Sequence, residues 1–200
     1  MGSQAMAGRA ATEAPRIGRP AKGANAVATR ERLLVASVDE FVERGFDRAG
    51  LTRIAERAGV SGPAVYKHFD GKADLLVHAA RRSLDQMLRT IETTRSPHEL
   101  ARRWLADDFT STRRLLVELH VAASREGHLA NLLDEWILEQ TTLWTSSSDD
   151  SVEQVKVFYL LLLGLAQIDS LSSLLSTPDV VGVLVDRMVD ALFADGRTTN

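Results

Sequence analysis

The fold is decided by residues 51–75, LTRIAERAGVSGPAVYKHFDGKADL. In a helix-turn-helix the two helices cross steeply, so a small residue must lie where they touch. The turn needs a residue that tolerates positive φ, and the second helix returns a branched apolar side chain to the core. Ala55, Gly59 and Val65 meet these needs at offsets of 0, +4 and +10. The spacing predicts a helix-turn-helix, although helix pairs joined by glycine also occur in helical proteins that do not bind DNA.

The chain on both sides of this stretch also has the pattern of helices. Apolar residues recur at i, i+4, i+7 and i+8 from Leu34 to Val42, which predicts a first helix that Thr29 caps and Gly45 ends. No alternating apolar stretch longer than four residues favours a strand. Later helices are predicted over residues 72–93, 97–109, 111–126, 128–145 and 152–175, with a last helix opening at Thr177-Pro178.

Composition excludes several classes of protein. The 200 residues include no cysteine, which excludes a disulfide scaffold, a thiolate zinc site and a cysteine nucleophile. The longest apolar run, Val157–Ala166, has ten residues, well short of the roughly 18 that indicate a membrane span. The N-terminus has no apolar segment typical of a signal peptide. We therefore expect a soluble cytoplasmic protein with no membrane partner.

Charge is distributed unevenly along the chain. Residues 1–75 carry 12 basic and 9 acidic side chains, whereas residues 76–200 carry 12 and 18. A basic N-terminal part on an acidic body indicates a polyanionic partner for the first part only.

The first 27 residues are rich in glycine, alanine and proline and lack aromatic side chains, so we expect them to be disordered without a partner. Within this arm, Gly18-Arg19-Pro20 is narrow enough to enter a DNA minor groove, whose negative potential attracts Arg19. A merely solubilising basic tail is the alternative interpretation.

Residues 28–77 resemble the TetR family of transcriptional regulators. Thr29–Leu34 with Phe41–Phe46 is similar to the first helix of that family. Ile54–Ser61 and Val65–Lys72 are similar to its helix-turn-helix and to the start of its fourth helix. The resemblance implies an all-α chain with an N-terminal three-helix DNA-binding domain and a helical C-terminal domain for ligand binding and dimerisation. The predicted division is a basic arm over residues 1–27, a DNA-binding domain over 28–75 and an effector-binding and dimerisation domain over 76–200.

The function that the resemblance implies is sequence-specific binding to a palindromic operator in double-stranded DNA. The protein would be a homodimeric repressor that a small-molecule effector releases, and it would be neither an enzyme nor a cofactor-binding protein. Two recognition helices about 34 Å apart, one turn of DNA, would read the palindrome.

The resemblance also implies a DNA-contact surface made of polar, basic and small side chains. These are Arg19, Thr52, Arg53, Ser61, Pro63, Ala64, Tyr66, Lys67, His68 and Lys72. Tyr66 and His68 have polar tips suited to phosphate oxygens, and Lys67 can reach a base edge or a phosphate. Ser61 begins the second helix of the motif, where backbone N–H groups can donate to a phosphate. Tyr66 could instead lie partly in the core.

The chain departs from the family pattern at both helix starts of the motif. Ala49-Gly50 stands where the family has a Thr-Thr pair, so Gly50 must cap the second helix without a side-chain contact. Gly62-Pro63 stands at the start of the recognition helix. Because proline disfavours α geometry in the residue before it, we expect that helix to begin one residue late, with Gly62 as its cap. The surface would then be poor in bidentate donors, and specificity would depend on Arg19 and on DNA shape.

The C-terminal part contains candidates for a small-molecule site and a dimer interface. Aromatic and isolated polar side chains nominate the ligand site: Trp104, Phe109, His120, Trp136, Gln140, Tyr159 and Gln167. Residues 158–166 are apolar nearly all round, so this helix must be buried on both sides, and Val181–Leu192 offers an amphipathic companion. The resemblance implies that these two helices of each subunit form a four-helix dimer interface.

Three alternatives stay open. A nonspecific architectural DNA-binding protein would fit the arm and the sparse recognition helix. A helical metal-dependent enzyme would use Asp107-Asp108, His120, His128 and Asp134-Glu135, but His120 and His128 are about two turns apart with Gly127 between them. A regulator without any ligand, its pocket filled by side chains, cannot be separated from the main prediction.

Overall fold

The computed structural model describes residues 22–89, 96–170 and 178–194, and this part of the chain contains helices and no strand. The α-helices are α1 (Lys22–Arg48), α2 (Leu51–Arg57), α3 (Gly62–Val65), α4 (Lys72–Leu88), α5 (Pro97–Trp104), α6 (Thr110–Ala123), α7 (Gly127–Thr145), α8 (Val152–Leu165) and α9 (Pro178–Phe193). Short 3-10 helices span Asp107–Phe109 and Ala166–Ser170. The all-α prediction is confirmed.

One continuous hydrophobic core runs through the described residues, from Leu33 on α1 to Val189 on α9. Helices α1 and α4 pack on each other, and both also pack on α6. Helix α4 crosses the predicted domain boundary between residues 75 and 76. Beyond that boundary it packs on α7. The N-terminal helices therefore rest directly on the C-terminal body through α1, α4 and α6.

The first helix starts earlier than predicted. It begins at Lys22 rather than after Thr29, so residues 22–27 are helical and not part of a disordered arm. Three alanines between residues 22 and 28 have the highest helix propensity and account for the extension. Residues 1–21 lie outside the described residues.

Two later helices are shorter than predicted. Helix α5 ends at Trp104, where the buried guanidinium of Arg113 donates to the carbonyl oxygens of Trp104 and Ala106. These bonds stabilise the chain reversal before α6. Helix α8 ends at Leu165 and tightens into the 3-10 helix Ala166–Ser170, a frequent ending for an α-helix.

Gly45 interrupts α1 as predicted, because its φ of +72° lies in the left-handed region. The next residue, Phe46, donates its backbone N–H to a carboxylate oxygen of Glu118 on α6 at 2.5 Å. A Cβ at Gly45 would lie 3.1 Å from the same carboxylate. The break thus places the end of α1 against α6 and leaves little space for any side chain there.

A buried carboxylate joins α1 to α2. Glu40 has no exposed surface, and its Oε1 accepts from Arg53 Nε at 2.6 Å and from the Gly50 N–H at 3.3 Å. Arg44 and Arg57 approach the same carboxylate at 3.5 and 3.6 Å. Burial disfavours the charged form of Glu40, but the bonds from Arg53 and Gly50 outweigh it and hold the pKa below its ordinary value of 4.5.

Glu40→Gln should destabilise the protein by about 1–3 kcal/mol at pH 7, because it removes a buried charge-assisted acceptor. The folded pKa lies below the unfolded one, so this ionic contribution is complete above pH about 4.5 and is lost as the pH falls through the folded pKa. Urea unfolding of both proteins at pH 7 and pH 3.5 measures the difference. Glu56→Gln, at an exposed carboxylate on α2, is the matched control. An equal difference at both pH values would contradict this role.

Candidate nucleic-acid interface and C-terminal cavity

Helices α2 and α3 form the predicted helix-turn-helix. Ala55 and Val65 are buried, and Gly59 adopts a φ of +65° in the turn between the helices. The N–H of Val60 donates to the Ala55 carbonyl at 3.0 Å, which closes the turn. Gly50 caps α2 without a side-chain bond, as predicted.

The recognition helix does not start late. Ser61 is its cap and Gly62 is its first residue, so the expected cap at Gly62 is wrong. The penalty before proline comes largely from the Cβ of the preceding residue, and glycine has none. Pro63 lies in the first turn, where its missing N–H would have no partner within the helix.

Six of the predicted DNA-contact residues on this motif are exposed: Thr52, Arg53, Ser61, Pro63, Tyr66 and Lys67. Tyr66 has 65% of its surface exposed, so it is not a core residue. Ala64 and His68 are half-buried, and the His68 ring lies against Phe69, which is buried as expected. Arg19 lies outside the described residues.

Arg53 and Lys72, both predicted to contact DNA, are engaged within the fold. Arg53 binds the buried Glu40 and also donates to the carbonyl of Arg48. Lys72 Nζ donates to the Phe46 carbonyl at 2.7 Å and approaches the carbonyls of Asp47 and Ala49. Both cations bind the end of α1, and Lys72 also approaches Ala49 before α2. The sequence offered no signal for this, because their partners are backbone atoms or a distant carboxylate.

A cavity of about 110 Å³ lies within the C-terminal body. Five predicted ligand residues line it: Trp104, His120, Trp136, Gln140 and Tyr159. Phe109 and Gln167 do not. Phe109 is buried beneath the guanidinium of Arg103, and Gln167 is exposed on the 3-10 helix after α8. Residues missed by the sequence prediction also line the cavity, and they include Leu84, Leu88, Thr141, Trp144, Lys156 and Phe158.

The lining includes one hydrogen-bonded polar pair. His120 Nδ1 lies 2.7 Å from the Leu116 carbonyl and therefore carries a proton, so Nε2 accepts from the Tyr159 hydroxyl at 2.7 Å. Burial lowers the pKa of His120 and raises that of Tyr159. Both groups are thus neutral near pH 7, and both ring nitrogens of His120 are occupied. Within the described residues, no group of three histidine, aspartate or glutamate side chains is placed to hold a metal ion.

Helices α8 and α9 expose apolar side chains. On α8, Val157 and Leu160 are 51% and 64% exposed in the single chain, and the second buried face predicted for residues 158–166 was assigned to a partner subunit. On α9, Leu184 and Met188 are exposed while Val185 and Val189 are buried, so the predicted single apolar face is divided between two surfaces. Val185 and Val189 belong to the hydrophobic core of this chain. Val157, Leu160, Leu184 and Met188 form an exposed apolar surface of the kind that contacts partners.

No helix among the described residues has the length and apolarity needed to span a membrane.

Comparison with known proteins identifies the N-terminal part. Residues 33–79 match the family described as bacterial regulatory proteins, tetR family. The chain is 42% identical over 59 residues to the HTH-type transcriptional activator FasR of Mycolicibacterium smegmatis, which covers 30% of this chain and 27% of FasR. The chain therefore matches only about a quarter of that relative's length.

Solved structures share the fold over most of the chain. A transcriptional regulator from Rhodococcus sp. Rha1 has a TM-score of 0.65 at 22% identity, covering 83% of this chain and 96% of that one. The multidrug binding protein EbrR, complexed with imidazole, has a TM-score of 0.60 at 22% identity, covering 82% and 88%. Residues 33–79 thus match the helix-turn-helix part of the tetR family of bacterial regulatory proteins, and the described residues share the fold of these solved structures.

Proposed function

We propose that this protein is a cytoplasmic, sequence-specific DNA-binding regulator, a homodimeric repressor that a small-molecule effector releases from a palindromic operator. The observation that carries the proposal is a single helix, α4. Its first residue, Lys72, binds the segment between α1 and α2, and its residues Leu84 and Leu88 line the cavity. One rigid element therefore touches both the DNA-binding domain and the cavity, as an effector-controlled regulator requires.

The DNA-contact surface that we propose consists of the exposed side chains of the helix-turn-helix, Thr52, Ser61, Pro63, Tyr66 and Lys67, together with the half-buried Ala64 and His68. Among these side chains, Lys67 carries a positive charge and has no hydrogen-bond or ion-pair partner within the described residues. Arg53 and Lys72 support this surface by orienting α2 and α4. Arg19 precedes α1 by only three residues, close enough in sequence to reach an adjacent minor groove.

A homodimer formed through α8 and α9 would be able to bind both halves of a palindromic operator. The exposed apolar side chains Val157, Leu160, Leu184 and Met188 lie on these two helices. Two such helix pairs form a four-helix bundle that removes these side chains from water. The dimer would place two recognition helices about one DNA turn apart.

A second route connects the cavity with the DNA-binding domain. Leu116 and His120 on α6 line the cavity, and Glu118 between them accepts from the Phe46 N–H. Arg125, just beyond α6, pairs with Asp47 at 2.9 Å. A ligand that moves α6 or α4 would shift the corner between α1 and α2. To swing occupancy from 1:99 to 99:1, the effector must prefer one state by roughly 5.5 kcal/mol.

The architectural alternative receives less support. A packaging protein has no need of an apolar cavity bordered by the helices that hold its DNA-binding domain. FasR is named an activator, so the direction of regulation must be tested together with DNA binding.

Footprinting on DNA that flanks the gene tests the proposed function. We expect a protected palindrome and an affinity, followed by fluorescence anisotropy, that falls steeply with salt. A reporter placed behind the protected site should be repressed. Salt-sensitive binding to all fragments without a footprint would contradict sequence-specific regulation, and increased reporter expression would contradict repression.

Lys67→Ala should weaken operator binding by about tenfold without changing the unfolding midpoint, because the Lys67 side chain is exposed and has no hydrogen-bond or ion-pair partner among the described residues. Arg53→Ala should lower the free energy of unfolding by about 1–3 kcal/mol, because it removes a bond to the buried Glu40. Anisotropy and urea unfolding on both variants separate the roles. Unchanged DNA binding by Lys67→Ala would contradict its assignment.

Glu118→Ala should accelerate hydrogen exchange of the Phe46 amide and weaken operator binding several-fold, because the corner between α1 and α2 loses its acceptor on α6. NMR exchange and anisotropy measure the two effects. Glu135→Ala, at an exposed carboxylate on α7, is the control. If the Phe46 amide is as protected as in the parent protein, Glu118 does not fasten this corner.

A further inference from the structure

The cavity has a distinct distribution of charge. Its described lining contains no aspartate or glutamate, and Lys156 is its single charged side chain. The polar groups deeper in the wall are neutral near pH 7, namely the His120–Tyr159 pair, Gln140 and Thr141. An organic cation would be desolvated here without any counter-charge, which is costly.

Lys156 marks where the cavity meets the surface. A groove of about 260 Å³ between α7 and α8 shares three lining residues with the cavity, Ile137, Thr141 and Lys156. Lys156 is exposed, and it has no hydrogen-bond or ion-pair partner among the described residues. Asp134 lines the groove but not the cavity. A head group at the junction of the two spaces would therefore meet the Lys156 ammonium.

The size of the two spaces limits the shape of a ligand. An apolar cavity of about 150 Å³ holds a single benzene ring, so 110 Å³ suits one ring or a short alkyl chain. A longer molecule must extend through the junction into the groove, past Lys156. The apolar part would then lie against the tryptophans and leucines, with its polar end at the ammonium.

Building on the regulator function proposed above, we propose that the effector is an amphipathic acid. Its alkyl or aryl body occupies the cavity, and its carboxylate or an equivalent anionic head pairs with Lys156 at the mouth between α7 and α8. The pairing selects anions over neutral analogues of equal length and rejects cations.

The chain carries its own probe for this proposal. All three of its tryptophans, Trp104, Trp136 and Trp144, line the cavity, so intrinsic fluorescence reports occupancy directly. Titration of the full chain with octanoate, octan-1-ol and octylammonium compares one apolar body with three head groups. We expect octanoate to bind the tightest, octan-1-ol to bind less tightly and octylammonium to bind the weakest.

Substitutions of Lys156 measure how much its positive charge contributes to ligand affinity. Lys156→Gln should lower the ratio of octanoate to octan-1-ol affinity about fivefold, the effect of a partly exposed ion pair. Lys156→Arg should retain the ratio, and Arg114→Gln, at an exposed cation of α6 outside the cavity, should leave it unchanged. An unchanged ratio in Lys156→Gln, tighter binding of octylammonium, or no fluorescence response to any of the three would overturn the proposal.

Operator binding by the unliganded protein, measured in parallel, distinguishes this inference from the proposed function. If the protein protects a palindrome but shows no charge selectivity at Lys156, only the acid proposal fails. If the charge selectivity is present and no operator is bound, the ligand site stands and the regulator function fails.

Discussion

The arrangement of this protein depends on one corner, the backbone between Gly45 and Gly50. Gly45 turns the chain with a positive φ, and the N–H of Phe46 is then held by Glu118 on α6. Lys72, at the start of α4, binds the carbonyl oxygen of Phe46. Four helices, α1, α2, α4 and α6, meet at this short segment through its backbone polar groups. The bonds from Glu118 on α6 and Lys72 on α4 to this backbone therefore help to determine how the DNA-binding domain sits on the body.

The buried Glu40 strengthens the same corner from inside. It accepts from the Gly50 N–H and from Arg53, so it fixes the start of α2 relative to α1. Arg53 and Lys72 are both predicted from the sequence to contact DNA. In the fold they position helices instead. The exposed side chains of Ser61, Tyr66 and Lys67 remain available in the recognition helix region to contact a partner.

The C-terminal body connects this corner to the cavity. Helices α4 and α6 each have one part at the corner and another at the cavity wall. The wall is apolar, its His120–Tyr159 pair is neutral, and its charge is confined to Lys156 at the mouth. The proposed ligand would contact the two helices that also hold the corner, which gives a physical basis for coupling between the sites.

The sequence by itself determined the helical fold class, the helix-turn-helix and five residues of the cavity wall, because these follow from local periodicity, turn chemistry and bulky aromatic side chains. Ala55, Gly59 and Val65 lie where their spacing predicted. Only the tertiary structure decided that Lys72 binds backbone carbonyls and that Gln167 and Phe109 lie outside the cavity. Those outcomes depend on contacts between residues distant in the chain, which no local pattern encodes. The partition of α9 into a buried and an exposed apolar face has the same origin, because it is set by how α9 packs on α5 and α8.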